Sequence, residues 1–227
     1  MKTVLITGIG KGIGKALADK FLAEGWFVLG TSTNGTAPMQ HNNLSMFQLD
    51  LTLSGSIAEC ARSVEGTGKE VDILVNNAGV LLDDEETDII IEKLRGTLEV
   101  NLIGTVDFTE RIIPFTNADG HIVNISSQAG SLADIENFTH SHAPLRYPAY
   151  KISKAALNMY TRTLALSLKH EGKGIIVSSV HPGWVRTEMG GDEADISPEE
   201  AAEAIFRFAV SKPETGQFWF KGEKMPW

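Results

Sequence analysis

The sequence predicts an α/β fold: a single domain built on a doubly wound parallel sheet flanked by helices. Three observations predict it. Short β-branched runs alternate with helical patterns, the rhythm of βαβ units. The 227 residues suit one large α/β domain better than two small ones. No internal repeat, low-complexity tract or long linker breaks that rhythm.

Strands are expected near Thr3–Thr7, Trp26–Gly30, Leu44–Leu49, Val71–Val75, His121–Ser126, Ile175–Val180 and Gln217–Phe220. Between the first two, Ile13–Glu24 reads as a helix whose Ala16, Leu17, Lys20, Phe21 and Ala23 mix apolar and polar positions. Further helices are expected at Ser56–Val64, Thr87–Arg95, Leu98–Ile113, Ala149–Lys169 and Pro198–Val210. The last has serine (Ser197) to cap its first N–H groups and proline at its first position. The acidic run Asp83–Asp88, "DDEETD", reads as a solvated loop leading into a helix, where negative charge suits the N-terminal end. "GQFWFKGEKMPW" reads as a final aromatic strand and a short tail.

A net charge of −9 argues against general binding to nucleic acid or an anionic membrane, both of which would repel the chain. The single cysteine, Cys60, has no partner for an intramolecular disulfide and reads as a small apolar filler on a helix. "MKTVLITGIGKGIG" turns to glycine after a short apolar run, so neither a signal peptide nor a membrane anchor is expected there. A cytoplasmic location is the expectation.

In "VLITGIGKGIGKALADKF", a hydrophobic strand runs into Gly8, Gly10, Gly12 and Gly14 and then into an amphipathic helix. Glycine permits positive φ and close approach of backbone to a ligand, and a helix start offers free N–H groups to a pyrophosphate. In the first βα turn of a Rossmann-like sheet, that pattern predicts a bound dinucleotide. An acid closing the second strand would hydrogen-bond a ribose 2′-hydroxyl and repel a 2′-phosphate. Here the strand ends in Thr31, Ser32, Thr33 and Asn34, and Lys11 puts a cation in the glycine turn. NADP(H) is therefore expected over NAD(H).

"LRYPAYKISKAAL" holds two tyrosine–lysine pairs at helical spacing, Tyr147 with Lys151 and Tyr150 with Lys154. An unperturbed phenol titrates near pH ~10. A neighbouring ammonium stabilises the phenolate and lowers that value, making the phenol a better acid–base near neutrality. Pro148 biases Tyr147 away from helical geometry and suits the first turn itself. Tyr150 and Lys154 then share continuous helix, and Tyr147 becomes a pocket-wall or surface aromatic.

In order along nearly the whole chain, T-G-x-x-x-G-x-G (Gly8, Gly12, Gly14), "LDLT", "VNNAG", "VNLIG", "IVNISSQAG", "YKISK" and "HPGWVRT" resemble the short-chain dehydrogenase/reductase family. The resemblance implies an oxidoreductase that reduces an aldehyde or ketone to an alcohol, reversibly. It implies Tyr150 as the acid, Ser127 as the group binding the carbonyl oxygen, Asn101 as support for a proton-relay water, and Lys154 as holder of the nicotinamide ribose. Cofactor contacts fall by resemblance to Gly8, Lys11, Gly12, Ile13 and Gly14, to Ser32 and Thr33, and to Asp50 and Leu51. They continue with Asn77, Ala78 and Gly79 after Asn76, and with Tyr150, Lys154, Pro182, Gly183, Val185 and Thr187. Many NADP-using relatives have arginine just after the second strand, where this chain has Thr33. The C-terminal segments resemble the branch of C-factor-type and sniffer-type carbonyl reductases.

Ser126 adjoins Ser127, and on a strand only one of two neighbours faces the substrate; the family's pattern takes the second. The gap between Ser127 and Tyr150 is longer than most members show. The extra stretch is expected at the pocket mouth or over a helix face that serves oligomers elsewhere. A homodimer or homotetramer is compatible with the family. His140 and His142 lie in that stretch with no third metal ligand evident, and no metal is expected. His121 and His181 receive no catalytic task. The acidic, glycine-containing segment 188–197 is suited to a short lid over a small-molecule carbonyl or alcohol. A sugar-nucleotide epimerase would share the tyrosine and lysine, but fits the glycine spacing poorly and needs a larger C-terminal domain. The remaining alternative is an NADP-binding regulatory or signalling protein with little turnover.

Overall fold

Residues along the strands alternate between two apolar layers, which buries the sheet on both faces. In β1 (Thr3–Ile6), Val4 and Ile6 join one core and Leu5 joins the other. The computed structural model describes residues 1–136 and 145–227. The other strands are β2 (Phe27–Ser32), β3 (Leu44–Gln48), β4 (Val71–Asn76), β5 (Thr116–Ile125), β6 (Ile176–Val180), β7 (Gln217–Phe220) and β8 (Glu223–Met225). The helices are α1 (Gly12–Ala23), α2 (Ser54–Glu65), α3 (Ile91–Leu98), α4 (Thr105–Ile112), α5 (Pro148–His170) and α6 (Pro198–Val210).

The strands form one sheet in the order β3-β2-β1-β4-β5-β6-β7-β8, parallel except for β8, which pairs antiparallel with β7. The winding reverses between β1 and β4, and open α/β sheets bind their ligands in the crevice outside the carboxyl ends of the strands at such a point. On one face, α1 and α6 cover Val28, Val75, Val123 and Val180. Phe21 anchors that layer edge-on against Trp26 at 5.1 Å and Phe206 at 4.9 Å. On the other, α2, α4 and α5 cover Leu29, Leu74, Ile122 and Val177, and Cys60 fills a gap among them. Among the described residues, no helix is long and apolar enough to cross a membrane.

Four local expectations are corrected. The helix expected at Leu98–Ile113 is interrupted by a π-helical turn at Glu99–Gly104. The glycine ending that turn lets chain segments meet: a side chain there would put its first carbon 2.0 Å from the Leu51 carbonyl oxygen. The helix expected at Thr87–Arg95 starts only at Ile91. The tail after β7 turns through Lys221 and Gly222, both at positive φ, into β8. And Asp83, expected in solvent, is 1% exposed. His140 and His142 lie outside the described residues.

Candidate active site

The carboxyl ends of β1, β4 and β5, together with the first turns of α5, bring the sequence-predicted residues to the crevice. Gly8 (φ +73°) and Gly12 (φ +57°) hold the turn after β1 in left-handed backbone. A side chain on Gly14 would meet the Gly8 carbonyl oxygen at 2.2 Å and the Asn77 amide at 2.5 Å. Asn77 Nδ2 donates to the carbonyls of Thr7 and Gly8 at 2.9 and 3.2 Å, and Thr7 Oγ1 accepts from the N–H groups of Asn77 and Ala78. The glycine turn and the segment after β4 thus form one bare backbone cradle. The N-terminus of α1, at Gly12, Ile13 and Gly14, has no side-chain cap, which leaves its positive end for an anion. These residues fit a dinucleotide pyrophosphate.

The remaining candidate cofactor residues border that cradle. Thr31 Oγ1 accepts from Gly8 N at 3.2 Å, which ties the end of β2 to the turn. Ser32 turns its hydroxyl to Asn34 and Thr36, and the Thr33 carbonyl accepts from Gln48. Asp50 accepts from Thr52 N–H and hydroxyl at 2.9 and 2.6 Å, and these bonds lower its pKa. Leu51 is buried behind it. After β6, Pro182 leads to Gly183 (φ +93°), where a side chain would meet Ile196 at 2.8 Å. Val185 bridges to Ile196, and the Thr187 methyl lies 3.3 Å from where a side chain on Gly12 would begin. Lys11 pairs with Glu188, both well exposed.

Both tyrosine–lysine pairs form: Lys151 Nζ lies 5.0 Å from the centre of the Tyr147 ring, and Lys154 Nζ lies 5.4 Å from that of Tyr150. Their surroundings separate them. Tyr147 precedes α5 in left-handed backbone (φ 48°), with its ring edge-on to Tyr150 at 6.2 Å. Tyr150 is hydrogen-bonded to Ser127, while burial pushes its phenol up to about 12. Lys154 is buried and donates to the Ile125 carbonyl at 2.9 Å. Burial lowers its ammonium to about 8, with no carboxylate among the described residues offsetting the cost. The expected lowering of the phenol is therefore not seen: desolvation raises it, and the bond to Ser127 only partly offsets that.

Gly130 brings the Ser127 turn against α5, since a side chain there would meet the Lys154 backbone at 2.6 Å. Ser126 points the other way and donates to Asn158 at 2.7 Å. Asn158 also donates to the Gly130 carbonyl at 3.2 Å; nothing in the sequence pattern singled it out. Asn101, in the π-helical turn, accepts from Val80 N at 2.8 Å. Its amide donates to the Val80 carbonyl at 2.9 Å and to Ser153 at 3.0 Å. Both its amide hydrogens are taken, so the side chain is a brace and has none left for water. Gly79 lies between Asn101 and Lys154: a side chain there would begin 3.2 Å from Asn101 Oδ1 and 3.7 Å from Lys154 Nζ.

The chain resembles known proteins in sequence and in fold. The model of the family described as short chain dehydrogenase matches residues 2–197. The C-signal protein of Myxococcus xanthus is 30% identical over 163 residues, 69% of this chain and 93% of that protein. A short-chain dehydrogenase/reductase of Burkholderia multivorans, solved with bound NADP, superposes with a TM-score of 0.86 at 28% identity, covering 100% of this chain and 99% of that one. The carbonyl reductase Sniffer of D. melanogaster superposes with a TM-score of 0.87 at 25% identity, covering 100% of both chains. Glycine cradle, buried lysine and serine-bonded tyrosine thus stand on a chain that belongs to the short-chain dehydrogenase family of oxidoreductases.

Proposed function

We propose that this protein reduces an aldehyde or ketone to the alcohol, and catalyses the reverse, with NADP(H) as cofactor. When bound, the cofactor supplies the hydride. The observation carrying the reading is the buried Lys154 with the Ser127-bonded Tyr150 beside the glycine cradle. Tyr150, held protonated by burial, donates its hydroxyl proton to the substrate oxygen, and Ser127 orients that oxygen through its own hydroxyl. Lys154 holds the ribose and steadies the tyrosine after it gives up the proton. A protein that only carried the cofactor would have no use for a serine-bonded phenol beside that ammonium.

Lys11 and the acid-free end of β2 support NADP(H) over NAD(H). The exposed Lys11–Glu188 pair is weak in water and yields readily to a phosphate. Segment 188–197 serves as the substrate lid. Leu82, Leu132, Leu145 and Met189 are exposed on the loops after β4, β5 and β6 and before α5, which favours an uncharged, hydrocarbon-bearing carbonyl.

The test follows NADPH consumption over a panel of aldehydes and ketones. Tyr150→Phe should lower turnover by about 10²-fold or more, the usual contribution of a positioned acid, and Tyr147→Phe should leave it within a few-fold. The opposite ranking would overturn the assignment. Equal affinity for NADPH and NADH, or tighter NADH, would overturn the cofactor choice.

A further inference from the structure

We infer that Asp83 is a positioning residue for Tyr150, fastening the N-terminal end of α5 to the segment that leaves the cofactor cradle. The inference rests on the proposed role of Tyr150 as the acid.

The N-terminal end of α5 lacks the usual means of satisfying its first N–H groups. Its cap position is Tyr147, which makes no side-chain cap, and Pro148 has no N–H. The next N–H belongs to Ala149, which is buried, and it donates to Asp83 Oδ2 at 2.6 Å. The cap therefore comes from a residue 66 positions away in the chain, and it holds the N–H of Ala149, the residue before Tyr150. Asp83 is itself 1% exposed, and its other carboxylate oxygen, Oδ1, has no hydrogen-bond partner among the described residues. The Lys151 ammonium interacts with that carboxylate electrostatically, yet a buried oxygen with no hydrogen-bond partner still makes this a costlier cap than a neutral side chain. Stability alone would be served by serine or asparagine at the helix's own cap position.

What Asp83 adds is a connection. Three residues earlier, the Asn101 side chain grips both the N–H and the carbonyl of Val80. Asn101 also donates to Ser153, whose hydroxyl donates to the Tyr150 carbonyl at 2.7 Å. Segment 80–83 is thus tied to α5 at two points, one on the N–H of the residue before Tyr150 and one on the carbonyl of Tyr150 itself. Outside these ties the loop adds Tyr147 N donating to the Glu86 carbonyl at 2.9 Å and Arg146 pairing with Glu85 at 2.6 Å. Because the same segment begins at Asn77–Gly79, its length sets where the phenol stands relative to the cradle. A misplacement of about 1 Å at a reacting centre costs up to about 10²-fold in rate.

The test uses Asp83→Ala, Asp83→Asn and Arg146→Ala in the full chain. Asp83→Ala should lower kcat about 10- to 100-fold while leaving NADPH affinity, measured by nicotinamide fluorescence, within about 2-fold. Asp83→Asn keeps an acceptor oxygen at the same reach and should recover most of the lost kcat. Arg146→Ala removes the outer ion pair with Glu85 and the bond to the Asp84 carbonyl, leaves the Asp83 cap in place, and should keep wild-type kcat. An Asp83→Ala enzyme with wild-type kcat, or an Asp83→Asn enzyme as impaired as Asp83→Ala, would overturn the inference. So would a matching loss of NADPH affinity, which marks general loosening. If Asp83→Ala does not fold, Asp83→Ser replaces it: kcat should fall in the order Asp, Asn, Ser at constant NADPH affinity, and equal values would be fatal. Should Tyr150→Phe retain turnover, the reading of Tyr150 fails whatever Asp83 does. Should Tyr150→Phe be inactive and Asp83→Ala normal, only the present inference fails.

Discussion

Burial shifts Tyr150 and Lys154 against their charged forms, the phenol up to about 12 and the ammonium down to about 8. Below pH 8 both groups carry their protons, which carbonyl reduction requires of the donor and its cationic neighbour. Between pH 8 and 12 the phenol keeps its proton while the lysine loses its charge. The pH profile of kcat/KM for NADPH in the reductive direction should therefore be level through neutrality and fall with an apparent pKa near 8. A profile level to pH 10 would show that the Lys154 charge is not needed. The Tyr150–Lys154 pairing and the glycines of the cradle were legible in the sequence because their spacing reflects local geometry, whereas Ser127 and Asn101 were reached through the family resemblance. The environment was not legible. Nothing in "YKISK" reveals that Lys154 donates to Ile125, 29 positions away, with no carboxylate offsetting its burial.

Helix α6 shows how far an element is written in its own residues. Ser197 accepts from Glu200 N at 3.2 Å, the Glu200 carboxylate accepts from Ser197 N at 2.7 Å, and Pro198 stands at the first position. Ser197→Ala should cost about 1 kcal/mol and lower Tm by about 2–4 °C, the usual scale for a domain of this size. A thermal melt without a shift would mean that water replaces the cap. Helix α5 shows the opposite case. Its cap comes from Asp83, which its own sequence cannot name, and the acidic run read as solvated because charge is normally outside. The π-helical turn at Glu99–Gly104 was hidden for a related reason: it accommodates Leu51, a neighbour far away in the chain.

At the scale of the whole molecule, His121 ties β5 to β6 and to α6. Its ring accepts from Ser178 on β6 and donates to the Ala209 carbonyl on α6, each at 3.0 Å, and it is 3% exposed. Because Ala209 offers only an acceptor, the neutral ring protonated at Nδ1 fits. Burial lowers its pKa from 6.5 to about 4, so the unfolded chain takes up the proton first as pH falls. The stabilisation is fully present above pH 6.5 and is lost progressively as the pH falls toward 4. Urea unfolding should show a loss of about 2 kcal/mol between pH 7 and pH 5 from this residue. His121→Gln should flatten that dependence, and an unchanged slope would remove His121 as its source.

By itself the sequence determined the alternation of strands and helices, the cradle glycines and the helical spacing of Tyr150 and Lys154. Each rests on backbone stereochemistry or on residue spacing within one element. Tertiary structure alone decided which groups share a buried environment: the serine-bonded tyrosine, the carboxylate-free lysine, the brace from Asn101 and the cap from Asp83. Those depend on contacts between segments many positions apart, and on the loss of water when the segments meet.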